Sequence, residues 1–132
     1  MASNDDTLGS LPDPNVFSRM CSSRDVFHHV TGRWGALVIV ALSENGEPMR
    51  FSELRRHVDG VSDRMLSQTL AQLEREGAVV RTVHSSIPPH VDYQLTELGN
   101  KLSGPLSDLK GIVERELGGI LQSQEAYDKA HA

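Results

Sequence analysis

The chain has one cysteine, Cys21, in 132 residues. That excludes an intrachain disulfide framework and fits a reducing compartment. Long apolar runs are also missing. The longest, Ala36 to Leu42, falls far short of the ~20 residues a membrane span needs. The N-terminus has neither a basic segment nor an apolar one, so no signal peptide is expected and the cytoplasm is the expected location. There is no basic excess: 13 Lys and Arg against 18 Asp and Glu leave a net charge of −5. That balance argues against a protein that coats nucleic acid indiscriminately. It leaves room for a sequence reader, whose local field counts for more than its total. The six histidines show no metal-ligand spacing paired with cysteine. His84 and His90 approach each other at most across a loop, so no metal or cofactor is predicted. Nor is an enzyme predicted. Cys21 has only His28 and His29 as nearby bases, and adjacent helical residues point ~100° apart. What remains is ordinary for a soluble single domain with a modest core, with 38% apolar and 23% charged residues.

The informative stretch is Phe51 to Gly77. Phe51, Leu54 and Val58 recur at helical spacing. Asp59-Gly60-Val61 breaks the helix. Ser62 offers an N-cap oxygen, and Asp63 places negative charge where a helix dipole favours it. Met65 stands where a capping box would need Glu or Gln. In the second helix Leu66, Leu70 and Leu73 centre one face, with Met65 and Thr69 beside it. Arg64, Gln68, Ala71 and Arg75 fall opposite, flanked by Ser67 and Gln72. Such a face suits a DNA major groove: Arg reads guanine, Gln reads adenine, and Ala permits close approach. Helix, turn and helix make a helix-turn-helix. The competing reading is two helices of an ordinary core with a solvated outer face. Arg55 and Arg56, with Arg50 just before them, suit phosphate contacts, or serve only to keep a helix soluble.

The flanks divide the chain into an arm (1–20), a DNA-binding domain (21–97) and a C-terminal helical segment (98–132). The arm is polar with Pro12 and Pro14 and is expected to be flexible, with Val16 and Phe17 anchoring its end. After Cys21, Ser22 or Ser23 is expected to cap a helix carrying Val26, Phe27 and Val30 inward. A thiol before a helix N-terminus and near Arg24 tends towards thiolate and suits an oxidant or electrophile sensor. An inert, packed cysteine is the alternative. The run Gly35 to Leu42 has no amphipathic period and fits a buried strand or a buried helix. Met49-Arg50 is expected to pair briefly as a strand. Two β-branched stretches, Ala78 to His84 and Val91 to Leu95, flank a loop with Pro88 and Pro89. They read as a hairpin, the wing of a winged helix, with Ser85 or His90 placed to touch the DNA backbone. Thr96 is expected to cap a last helical region. There Leu98, Leu102, Leu106, Leu109, Val113, Leu117 and Ile120 form a stripe too long for so small a domain to bury alone, so dimerisation is expected. Pro105 is expected to kink that region or start a new helix. The fold class is mainly α with a small β-hairpin.

In this order the pieces resemble the HxlR-type winged-helix regulators, relatives of the MarR-type transcription factors. The resemblance rests on Cys21, Gly32-Arg33-Trp34, Arg50-Phe51-Ser52-Glu53-Leu54-Arg55-Arg56 and Val61-Ser62-Asp63-Arg64-Met65-Leu66-Ser67-Gln68-Thr69-Leu70. It continues through Leu73-Glu74-Arg75-Glu76-Gly77, Pro88-Pro89-His90-Val91-Asp92-Tyr93 and Leu95-Thr96-Glu97-Leu98-Gly99. It implies a homodimeric bacterial regulator, expected to repress, that reads a near-palindromic operator in double-stranded DNA through Ser62, Arg64, Ser67, Gln68 and Arg75. Arg55, Arg56 and His90 would hold the backbone. It also implies that the run 36–42 is a buried helix, and that Cys21 stands where several branches sense oxidants, quinones or aldehydes. Two departures are visible: Ser22 follows the cysteine where the family usually has Pro, and His90 stands where Arg is common. Two alternatives remain: control by a small-molecule effector with a structural cysteine, as in MarR-type relatives, and a winged-helix protein-interaction module, which the acidic total favours slightly.

Overall fold

The structure, a computed structural model, describes residues 13–132. Positions 1–12 of the expected arm lie outside the described residues. Six helices and a three-stranded antiparallel sheet follow in the order α1 (Ser22–Thr31), α2 (Gly35–Asn45), β1 (Met49–Arg50), α3 (Phe51–His57), α4 (Asp63–Arg75), β2 (Val79–His84), β3 (His90–Leu95), α5 (Glu97–Arg115) and α6 (Leu117–Ala130). No helix among them is long and apolar enough to cross a membrane.

The run without a period is the helix α2. Val38, Ile39, Val40, Ala41 and Leu42 are all buried, because α1, α4, α5 and β3 pack around it. A helix enclosed in this way needs no polar face, so its sequence carries no amphipathic signal. It stops at Gly46, whose positive φ of 76° supplies the left-handed C-cap. Leu54, Leu66, Leu70, Leu73 and Val79 close on Ile39 to complete the core.

Met49 and Arg50 pair with Tyr93 and Asp92, as expected, so β1 extends the hairpin to the order β1-β3-β2. In the hairpin Val79 faces Leu95 and His84 faces His90. Thr96 caps α5, accepting from the Gly99 N–H at 3.1 Å while its hydroxyl donates to the Gly77 carbonyl at 2.5 Å. A Cβ on Gly99 would lie 2.1 Å from the Ala78 carbonyl oxygen, so only glycine lets α5 start this close to the beginning of β2.

Two local expectations are corrected, and one of the two outcomes expected at Pro105 is excluded. The N-cap of α1 is Cys21, not a serine, and no side chain caps the helix. Of the three apolar residues expected to point inward from α1, only Val30 is buried; Val26 and Phe27 are 37% and 56% exposed. They line a groove shared with Val16, Val30, Leu102, Pro105 and Leu109. Pro105 does not start a helix: α5 runs through it and the chain breaks at Glu116 instead. Pro105 and Lys101 are both exposed, so water can reach the Lys101 carbonyl that proline leaves without a donor.

Candidate nucleic-acid interface

Ser62 caps α4, its hydroxyl accepting from the Met65 N–H at 3.1 Å. That bond fixes the rotational start of the helix. Leu66, Thr69, Leu70 and Leu73 are buried as the inner face, and Thr69 turns its hydroxyl back to the Met65 carbonyl at 2.8 Å. Burial of that stripe forces the opposite stripe out. Arg64, Ser67, Gln68, Ala71 and Arg75 are all exposed, and Ser62 sits exposed at the head of the same face. Among the described residues Arg56, Arg64 and Arg75 form no ion pair.

α3 sets the approach to this helix. Leu54 and Val58 are buried, the Arg50 N–H donates to Glu53 at 2.8 Å, and Gly60 turns the chain with a φ of 90°. Arg55 and Arg56 stand exposed near the end of α3. Arg55 already has a partner, the Asp63 carboxylate at 3.4 Å. Both groups are open to water, so the pair holds Arg55 only weakly.

His90 is not at the wing tip. Its ring stacks on that of His84, with centroids 4.5 Å apart, and its Nδ1 lies 3.3 Å from the Ser86 hydroxyl. Its Nε2 lies 3.9 Å from Asp92. The tip consists of Ser85, Ser86, Ile87, Pro88 and Pro89, all exposed, with Ile87 at 98%.

Cys21 is partly buried at the head of α1. Its Sγ lies 3.0 Å from the Ser23 hydroxyl, and the Asn15 N–H donates to it at 3.5 Å. These bonds, led by the Ser23 hydroxyl and followed by the backbone N–H groups of Asn15 and Ser23, hold the thiol below its ordinary pKa. Arg24 takes no part in this; its guanidinium donates to the Phe17 carbonyl at 3.4 Å.

Two pairings had no counterpart in the sequence reading. His29 Nδ1 bonds the Glu76 carboxylate, tying α1 to the residue that ends α4. Glu76 is buried there, and its other oxygen has no partner among the described residues. Asp92 meets both wing histidines. His29 and Glu76 stand 47 positions apart, beyond any local pattern.

A capped, outward-facing second helix after a tight turn, followed by a hairpin, defines a winged helix-turn-helix. Comparisons with known proteins agree. The model of the HxlR-like helix-turn-helix family matches residues 29–119. The uncharacterized HTH-type transcriptional regulator YtfH of Escherichia coli is 44% identical over 111 residues, 84% of this chain and 86% of that one. The structure of ytfH from Salmonella typhimurium superposes with a TM-score of 0.79 at 42% identity, covering 86% of this chain and 99% of the other. The redox regulator HypR in its oxidized form gives a TM-score of 0.65 at 30% identity, covering 72% and 96%. The chain belongs to the HxlR-like helix-turn-helix family and is a transcriptional regulator with that fold.

Proposed function

We propose that the chain acts as a homodimer that represses transcription from a near-palindromic operator, and that oxidation or electrophile capture at Cys21 sets its occupancy. The observation that carries this reading is the outer face of α4. It bears Arg64, Ser67, Gln68 and Arg75 exposed, its arginines without acidic partners among the described residues. Arg64 and Gln68 are proposed to read base edges and Arg75 to flank them. Arg55 and Arg56 are proposed to hold phosphates. His90 is withdrawn from direct backbone contact in this reading because its ring is engaged with His84, Ser86 and Asp92. The exposed tip, Ser85 to Pro89, takes that place.

Dimerisation is supported by the apolar side chains that the described chain leaves uncovered. Leu109, Val113, Leu117, Ile120 and Leu121 are exposed along α5 and α6, and no residue of α6 is buried. Val26 and Phe27 extend the same unburied surface. A dimer seated on a promoter excludes polymerase by its bulk, so repression is the proposed sign of control.

The thiol reading is supported by the lowered Cys21 pKa and by the redox regulator among the structural relatives. Cys21 begins α1, and α1 ends on α4 through His29 and Glu76. A shift of α1 therefore has a path to the reading helix. The single cysteine limits the products to a sulfenic acid, a cap by a small thiol, or a disulfide between protomers. With diamide alone, two Cys21 thiols from two protomers lose two protons and two electrons to the diamide and form one disulfide.

The test is a gel shift on the DNA upstream of the protein's own gene and its divergent neighbour, for wild type and Cys21→Ser, with and without diamide. Binding by both proteins, lost on oxidation in the wild type alone, is the expected result. Indifference of both to diamide would remove the thiol switch and leave the DNA-binding reading standing. A failure of both to bind selectively would count against that reading itself.

A further inference from the structure

The wing hairpin gathers three metal-capable side chains on one face. His84 and His90 are partners in the last rung between β2 and β3, so both side chains leave the same side of the ribbon. Asp92 is two residues along β3, the next position on that side. Its Oδ2 lies 2.8 Å from His84 Nε2 and 3.9 Å from His90 Nε2. One ligand atom from each residue falls within 4.8 Å of the other two. Both Nε2 atoms face the same carboxylate oxygen, His84 at hydrogen-bond distance and His90 beyond it.

The distances are close to what a small divalent ion requires. Tetrahedral zinc, with bonds of about 2.0–2.2 Å, sets its ligand atoms roughly 3.3–3.6 Å apart. One observed separation is shorter and the other longer, and both lie within reach of small side-chain rotations at this partly exposed site. The surroundings also favour the required tautomer. The Ser86 hydroxyl donates to the Pro88 carbonyl at 3.2 Å, which leaves its oxygen to accept from His90 Nδ1–H at 3.3 Å. That bond puts the proton of His90 on Nδ1 and leaves the Nε2 lone pair towards His84 and Asp92, the usual support for a metal-bound histidine. Arg50 faces Asp92 across β1–β3 but makes no ion pair with it, so the carboxylate is available.

We propose that His84, His90 and Asp92 bind a divalent transition ion of the zinc type, leaving a fourth position for water or another oxygen ligand. Two imidazoles and a carboxylate suit zinc, nickel or copper rather than magnesium or calcium. With neutral imidazoles, occupancy by a divalent ion changes the charge of the His84, His90 and Asp92 cluster from that of one carboxylate to net positive. Ser86 is a positioning residue that orients His90.

The test uses the full chain freed of metal with a chelator and titrated with zinc by calorimetry, and with cobalt, whose visible absorption reports tetrahedral coordination. One ion per chain is expected. Asp92→Asn and His90→Gln each should weaken binding at least ~100-fold and abolish the cobalt absorption. Ser86→Ala should weaken it ~10-fold, and His131→Gln should leave it unchanged. Circular dichroism checks that each variant is folded; all the substitutions are in the hairpin or tail, outside the core. Zinc affinity unchanged in both Asp92→Asn and His90→Gln, or no uptake at micromolar zinc, would overturn the site. Neither readout involves DNA, so the result is independent of the operator reading.

Discussion

Leu66→Ala is expected to destabilise the fold by about 2–5 kcal/mol. Leu66 is fully buried on the inner face of α4, in one cluster with Ile39, Leu54, Leu70 and Leu73. Truncation leaves a cavity that α2, α3 and α4 would have to close together, and each is already packed. A domain of this size holds only about 5–15 kcal/mol in total, so the loss is a large part of it. Urea and thermal melts should both show it, with a lower midpoint at an unchanged urea slope. A midpoint equal to wild type would mean that the inner face of α4 has been misassigned, and the outer face with it.

Arg64→Ala and Gln68→Ala on the same helix should behave in the opposite way. Both side chains are exposed, so stability should stay within about 0.5 kcal/mol of wild type. If each reads a base edge, each costs about 1–3 kcal/mol at the specific site, roughly 5- to 150-fold in affinity, and relaxes preference at one position. Arg56→Ala, a proposed phosphate contact, should instead weaken all sequences alike and lower the salt slope by about one. Fluorescence anisotropy on the operator and on single-base variants of it separates these patterns. Unchanged operator affinity in both Arg64→Ala and Gln68→Ala would remove them from the reading set. The contrast with Leu66→Ala separates loss of the fold from loss of the interface.

The sequence was most legible where a regular period met solvent. α4 sorts cleanly because one face is core and the other is water, and Ser62 and Thr96 mark helix starts by a chemistry that acts within three residues. α2 was ambiguous for the opposite reason: it is enclosed, and enclosure erases the polar face that would have shown its period. In α1 apolar character misleads: Val26 and Phe27 suit a buried helix face but lie on a surface left open in the described chain. Pro105 starts no helix, because the exposed α5 runs through it where water replaces the missing donor.

The site residues divide along the same line. Arg64, Ser67, Gln68 and Arg75 follow from helical spacing and are all exposed together. His90 and Asp92, two apart in a strand, carry a same-face signal that was visible. The place of His84 opposite them depends on the hairpin register, which loop length and turn geometry determine. The lowered pKa of Cys21 was anticipated, but from a helix terminus and Arg24. Its largest cause, the Ser23 hydroxyl, depends on a side-chain rotamer that sequence does not specify.

Selection from a pool of random duplex DNA shows whether two copies of α4 read two DNA half-sites. The protein is incubated with the pool, bound duplexes are recovered and sequenced, and the cycle is repeated. Enrichment of a two-fold-symmetric motif is expected. Its half-sites should be centred one helical turn apart, ~34–36 Å, or a multiple of that. A pool that stays random while the protein remains folded would contradict that expectation.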